Sequence, residues 1–141
     1  MDTRFSTALH MLILISEAEI PMTSEQIANS VGTNATYIRK IAGLLKKADI
    51  IESRQGVSGF TLLIPAGQLT LCRIYQAVNE SSRVHLFDLH QNPNDACIVG
   101  KHIKPILEVE FSSLESVITL ALNGRTLKDI IENMRKRSEE V

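Results

Sequence analysis

A mainly α-helical fold with one small β-hairpin is predicted by three features of this 141-residue sequence. Apolar residues recur at three-four spacing in several separate stretches, the signature of helices that bury one face. Capping residues precede most of those stretches. Two short apolar runs are joined only by Arg54-Gln55-Gly56-Val57-Ser58-Gly59, too short a link for anything but a hairpin.

The first helix spans Thr3 to Ser16, with Phe5, Ala8, Leu9, Leu12 and Ile13 on its apolar side and Pro21 beyond its end. Thr23-Ser24-Glu25-Gln26 is a capping-box pattern, in which the Thr23 hydroxyl accepts from the third helical residue while Gln26 reaches back. It opens a short helix, Ser24 to Ser30. Gly32 permits the left-handed conformation that ends it, and Asn34 caps the next helix, so the two cross steeply. On that third helix, Ala35 to Ala48, a step of about 100° per residue puts Ile38, Ile41, Ala42 and Leu45 on one side. Thr36, Arg39, Lys40, Gly43 and Lys47 fall on the other. Cations mixed with small residues suit an approach to phosphates and base edges, although an ordinary solvated face has the same composition.

Strands Ile50–Ser53 and Phe60–Ile64 form the hairpin, and its place directly after a basic helix makes the whole a winged helix-turn-helix. Pro65-Ala66-Gly67 ends the second strand, and Thr70 caps a helix through Leu71, Ile74, Tyr75 and Val78. The expected organisation is a winged domain over 1–79, a polar connection over 80–95 and dimerisation helices over 96–141. Asn94-Asp95 is the expected cap of a long helix, Ala96 to Asn123, that Pro105 kinks or truly begins. Its stripe of Ile103, Ile106, Leu107, Phe111, Leu114, Val117, Ile118 and Leu122 exceeds what one small core needs and is expected to meet a second subunit. Gly124 stops that helix. Thr126 starts the last one, with Leu127, Ile130, Ile131 and Met134 on its apolar side.

Composition narrows the function. Net charge is -1, yet Asn34 to Phe60 holds five cations against two anions, a local +3 that leaves -4 elsewhere. The longest apolar run, Met11 to Ile15, is far short of the roughly 20 residues of a membrane helix. No secretory leader is expected after Met1, and with two cysteines the expected location is a reducing cytoplasm. No nucleophile–base series, phosphate loop or paired-carboxylate motif indicates an enzyme. The readings that remain are a DNA-binding regulator and a winged-helix module that acts through a partner protein.

Ser24-Glu25-Gln26-Ile27-Ala28, Asn34 to Leu45, Ala48-Asp49-Ile50-Ile51, the wing Gly56 to Leu62 and Asn92-Pro93-Asn94-Asp95-Ala96-Cys97-Ile98-Val99-Gly100 resemble the Rrf2 family of bacterial winged helix-turn-helix transcriptional regulators, the family of IscR, NsrR and CymR, in its YwnA-like subgroup. That resemblance implies a homodimeric repressor on double-stranded DNA, with the third helix in the major groove of a pseudo-palindromic operator. It assigns base and phosphate contacts to Asn34, Thr36, Tyr37, Arg39 and Lys40, wing contacts to Arg54, Gln55 and Gly56, and a phosphate contact to Arg4. The wing departs from the family's usual paired glycines, with Gln55 before Gly56 and Ser58 before Gly59.

Cluster-binding members of the family carry three cysteines before the long helix, whereas only Cys97 lies there in this sequence. Cys97 and His102 are five apart, about 140° around a helix, and cannot grip one metal from one face. No cofactor and no metal site are therefore expected, and His85, His90 and His102 read as solvated or hydrogen-bonded side chains. A thiol at a helix start has a lowered pKa, which makes Cys97 a candidate redox sensor. The competing reading is a small core residue. The effector, small molecule or oxidant, is not encoded in any motif.

Overall fold

The computed structural model describes residues 2–140, so Met1 and Val141, the end residues of the expected first and last segments, lie outside it. Helix α1 (Arg4–Glu17) is followed by α2 (Ser24–Val31), α3 (Ala35–Lys47), β1 (Ile51–Glu52) and β2 (Thr61–Leu62). After a single 3-10 turn at Ala66–Gln68 come α4 (Leu71–Asn79), the 26-residue α5 (Ile98–Asn123) and α6 (Leu127–Glu139). The strands pair antiparallel, Ile51 opposite Leu62 and Glu52 opposite Thr61. Each is shorter than expected: in-register bonding ends at one side with Leu63 N–H on the Ile50 carbonyl, 2.9 Å, and at the other Phe60 leaves the pair to bridge Met22.

Local chemistry sets the helix-turn-helix. Thr23 accepts from the Gln26 N–H, 3.2 Å, while Thr23 N–H donates to the Gln26 side chain, 3.0 Å. Gly32 ends α2 at φ +84°, and the Asn34 Oδ1 takes the Tyr37 N–H at 2.8 Å to start α3. Ile38, Ile41, Ala42 and Leu45 of α3 are all buried. Helix α1 is buried more widely than one stripe allows: Met11 and Ile15 lie as deep as Ala8 and Leu12, while Phe5, Leu9 and Ile13 are half-buried. It is the central helix, touched by α2, α3, α4, α6 and β2.

The C-terminal half divides. At the start of α6, Leu127 N–H donates to the Leu69 carbonyl (2.9 Å), and Leu71 N–H to the Arg125 carbonyl (3.0 Å). Thr70 and Thr126, the caps of α4 and α6, thus form an antiparallel bridge. Leu127 and Ile131 enter the same core as α1 and α3, and Arg135 reaches Glu17 of α1 at 2.7 Å. Helix α5 runs unbroken through Pro105, and Glu115 is its one buried residue among those described. The Glu115 carboxylate fastens the connection by accepting from the Leu86 (2.6 Å) and Phe87 (3.2 Å) N–H groups, which hold its pKa below the usual carboxylate range.

The start of α5 corrects the sequence reading. Asn94 does not cap the helix; its side chain takes the Ala96 N–H (3.0 Å) and its carbonyl the Cys97 N–H (3.2 Å), closing a turn first. The N-cap is Cys97, and the helix begins at Ile98. Gly100 packs so tightly on this turn that a Cβ there would collide with the Asn94 carbonyl.

The anchoring of α6 in the common core predicts that Leu127→Ala, far from the helix-turn-helix in sequence, lowers stability by about 2–5 kcal/mol. Urea unfolding followed by circular dichroism measures this. A loss below about 1 kcal/mol would mean that α6 is dispensable to the core.

Candidate nucleic-acid interface

The buried stripe of α3 leaves its opposite side facing solvent, where Thr36, Arg39, Lys40, Gly43, Lys46 and Lys47 are exposed. The wing is brought to the same side by one close approach. Phe60 N–H donates to the Met22 carbonyl at 2.8 Å, and Gly59, at φ +108°, lies where a Cβ would sit 2.7 Å from the Met22 oxygen. Between wing and helices lies a cleft of about 460 Å³, lined by Ser24 and Glu25 of α2, Arg39, Gly43 and Lys46 of α3, and Ser58 of the wing. Glycine at 43 meets no heavy atom within 4 Å of a built Cβ, which leaves the middle of the helix open to close approach.

The candidate residues divide among three places. Thr36, Arg39 and Lys40 are on the open face of α3; Tyr37 is half-buried, and the Asn34 carbonyl oxygen is committed to the cap. Arg54, Gln55 and Gly56 form the wing tip, a turn closed by Val57 N–H to the Arg54 carbonyl at 3.1 Å with Gly56 at φ +80°. Arg54 lines a groove with Pro21, Glu52 and Val57, whereas Ser53 lines the α3 cleft on the other side of Gly59. Arg4 stands at the start of α1, where its guanidinium meets Asp2 at 2.7 Å and Asn79 at 3.3 Å. The Asp2 pKa falls to about 2, chiefly through the Arg4 side-chain hydrogen bond.

Each of the three arginines holds a carboxylate: Arg4 with Asp2, Arg39 with Glu25 at 2.6 Å, and Arg54 with Glu52 at 3.2 Å. Lys40 and Lys46 have no carboxylate within 4.0 Å among the described residues. Exposed pairs of this kind are worth about 0–1 kcal/mol to stability. Sequence reasoning missed Glu25, Ser58 and the Met22–Phe60 bridge. Glu25 carried only the signal of an acidic residue in the first turn of a helix.

Of the expected α5 stripe, Ile106, Leu114, Val117 and Ile118 are exposed, joined by Val109 and Leu120. Ile103, Leu107, Phe111 and Leu122 are half-covered by their own chain, Phe111 by the Phe87 ring at 5.2 Å and Leu122 by the winged core.

Cys97 is exposed, whereas Cys72 is buried, and that burial pushes the Cys72 thiol up. The backbone N–H groups of Gly100 and Val99 face the Cys97 sulfur and lower its pKa. His85 bonds Asp88 at 2.6 Å, which raises its pKa, and stands 3.7 Å from Glu115; no three His, Cys, Asp or Glu side chains among the described residues converge to hold a metal.

The sequence model of the Rrf2 family, described as iron-dependent transcriptional regulator, matches residues 1–133. YwnA of Bacillus subtilis (strain 168), which bears the name of an HTH-type transcriptional regulator, is 39% identical over 134 residues, covering 95% of this chain and 98% of YwnA. The fold is shared with CymR (YrzC), the global cysteine regulator of B. subtilis (TM-score 0.67, 17% identity, 94% of this chain and 95% of that one). It is shared also with T. potens IscR (TM-score 0.69, 18% identity, 95% and 87%). The iron in the family description has no matching ligand set: Cys97 is the one thiol of the connecting segment, and Cys72 is sealed in the core.

The environment of Cys97 predicts that iodoacetamide alkylates it well before Cys72 in the folded protein, with the midpoint of its pH–rate profile below that of an unstructured cysteine. Gly100→Ala, which displaces the Asn94 turn, moves that midpoint upward. Mass spectrometry of alkylated peptides reads both, and equal rates for the two thiols would contradict the assigned environment.

Proposed function

The chain belongs to the Rrf2 family of transcriptional regulators, and from that premise we propose that it is a homodimeric repressor whose two α3 helices enter successive major grooves of a pseudo-palindromic operator. The observation that carries this reading is the α3 face itself, with Arg39, Lys40, Gly43 and Lys46 open to solvent beside the wing. Lys40 and Lys46 supply phosphate contacts, and Thr36 and Arg39 approach base edges. Arg54 at the wing tip reaches the neighbouring minor groove, and Arg4 adds a phosphate contact outside the helix-turn-helix.

The second subunit is supported by α5. Ile106, Val109, Leu114, Val117 and Ile118 are at least 40% exposed on a helix that gives no buried apolar side chain to its own core. A two-fold contact along this helix removes the surface from water and repeats α3 at the spacing of operator half-sites, about 34 Å. Cys97, exposed at the cap of the same helix, is the sensing residue of this proposal. A peroxide transfers one oxygen to its thiolate and leaves as hydroxide, the sulfenic acid formed condenses with the partner's Cys97 thiol with loss of water, and either product alters the dimer and releases DNA.

Fluorescence anisotropy with DNA from upstream of the gene, at two salt concentrations and with nonspecific competitor, tests the regulator reading. Saturable, competitor-resistant binding that weakens steeply with salt is expected. Lys40→Ala and Arg54→Ala lower affinity for all sequences, whereas Arg39→Ala relaxes discrimination at one base position by about 1–3 kcal/mol. Binding equal to the parent's in all three variants would displace the interface from α3 and the wing.

Sedimentation measures the assembly. The parent is expected at twice the chain mass, and Val117→Glu, which sets charge in the apolar face, is expected to yield monomers that bind operator at least tenfold more weakly. A monomeric parent would remove the dimer from the proposal.

A further inference from the structure

Among the three ion pairs at the proposed interface, Arg39–Glu25 differs in kind. Arg4–Asp2 and Arg54–Glu52 join residues two apart in the chain, whereas Arg39 and Glu25 are fourteen apart and belong to different helices. The bond is short, 2.6 Å from Arg39 Nη2 to Glu25 Oε1, and both side chains remain more than half exposed. Glu25 is itself held: it is the second residue of α2, next to the Thr23–Gln26 capping box, and its charge lies at the positive end of that helix. Both residues line the cleft between α3 and the wing.

We propose that Glu25 is a specificity-determining positioning residue that fixes the Arg39 guanidinium for base reading and repels the DNA backbone that would otherwise capture it. This rests on the reading of α3 as the DNA-contacting helix. The physical basis is the ambiguity of an arginine on DNA. Its fork of five donors fits a guanine edge, yet its long side chain swings as readily to a phosphate, a contact that carries no sequence information. One Nη2 hydrogen given to Glu25 holds the plane of the guanidinium, and the other N–H groups make no hydrogen bond among the described residues and stay available to a base. A carboxylate at the cleft rim also disfavours close phosphate approach at that point. Glu25 therefore lowers affinity for DNA in general and raises preference for the operator.

The test selects binding sites from a random-sequence DNA library with the parent, Arg39→Ala, Glu25→Ala and Glu25→Gln proteins, then measures parent consensus, its single-base variants and nonspecific DNA by anisotropy. Arg39→Ala is expected to lose preference at one base position per half-site. Glu25→Ala should lose preference at that same position by about fivefold or more, the lower end for one bidentate base contact, while its nonspecific affinity rises. Glu25→Gln, a neutral acceptor, should share the nonspecific gain and retain part of the preference. Thermal melting and sedimentation of the variants should match the parent, since the capping box is untouched.

If Glu25→Ala and Glu25→Gln gain affinity equally for every sequence and keep the parent's base preference, Glu25 is only a repulsive charge and the proposal is overturned. It is overturned as well if Arg39→Ala keeps every preference, which leaves the regulator reading intact. A parent that enriches no sequence would overturn both this proposal and the DNA reading beneath it.

Discussion

The pair of backbone hydrogen bonds that joins Leu69 to Leu127 and Leu71 to Arg125 governs the C-terminal half of the molecule. It sets the caps of α4 and α6 side by side, so both helices start from one point on the winged core. Their hydroxyls, Thr70 on the Arg73 N–H and Thr126 on the Asp129 N–H, satisfy orphan donors at the two helix starts that the bridge brings together. From that point α6 turns inward and buries Leu127 and Ile131 against α1. The chain must arrive there along α5, and a helix of 26 residues is about 39 Å long. A core this small cannot cover such a rod. Helix α5 is therefore left with apolar side chains in solvent, and its one buried group is a carboxylate serving the connection.

At the other end of the fold the same economy operates through α3. Four small or branched apolar residues, Ile38, Ile41, Ala42 and Leu45, fix the rotation of the helix about its axis. Once they are buried, Arg39, Lys40 and Lys46 have no choice of direction. The wing is aligned to this face by the Phe60–Met22 hydrogen bond, which needs glycine at 59 for backbone to meet backbone. The cleft thus follows from packing on its far side.

Local chemistry made much of this legible. The Thr23 box, Gly32, Asn34, Thr70 and Thr126 act within four residues of themselves, and each stands where its pattern indicates. Periodicity gave the inward face of α3 for the same reason. Contacts between distant segments were not legible. Phe60 was expected within the strand but bridges Met22, and nothing in either residue signals the other. Asn94-Asp95 has the composition of a cap, yet Asn94 spends both its oxygens on the preceding turn and Cys97 takes the cap. Glu115 stands amid serines on a helix with nothing in its neighbours to mark it, and its carboxylate is held by Leu86 and Phe87 nearly thirty residues earlier. The partner of Arg39 was hidden likewise, since Glu25 belongs to another helix.

These placements constrain how any signal at Cys97 travels. Cys97 stands at the N-cap position of α5, at the end remote from the winged core, roughly 39 Å of helix from Asn123. A negative charge gained there is welcome to the Val99 and Gly100 N–H groups. The thiol is exposed, so an adduct has room on its solvent side. The Asn94 turn, which accepts the Cys97 N–H, leads back into a connection that is fastened to α5 by Glu115 and to α4 by Tyr75, whose hydroxyl donates to the His85 carbonyl at 3.1 Å. Any covalent and hydrogen-bonded route from Cys97 to the winged core therefore runs through the connection or along α5. Helix α3 meets the start of the connection, where Lys47 lies 3.6 Å from Glu80, and it packs against α4. Under the proposed sensing role, the connection and α4 are therefore the two places where a change at Cys97 would meet α3.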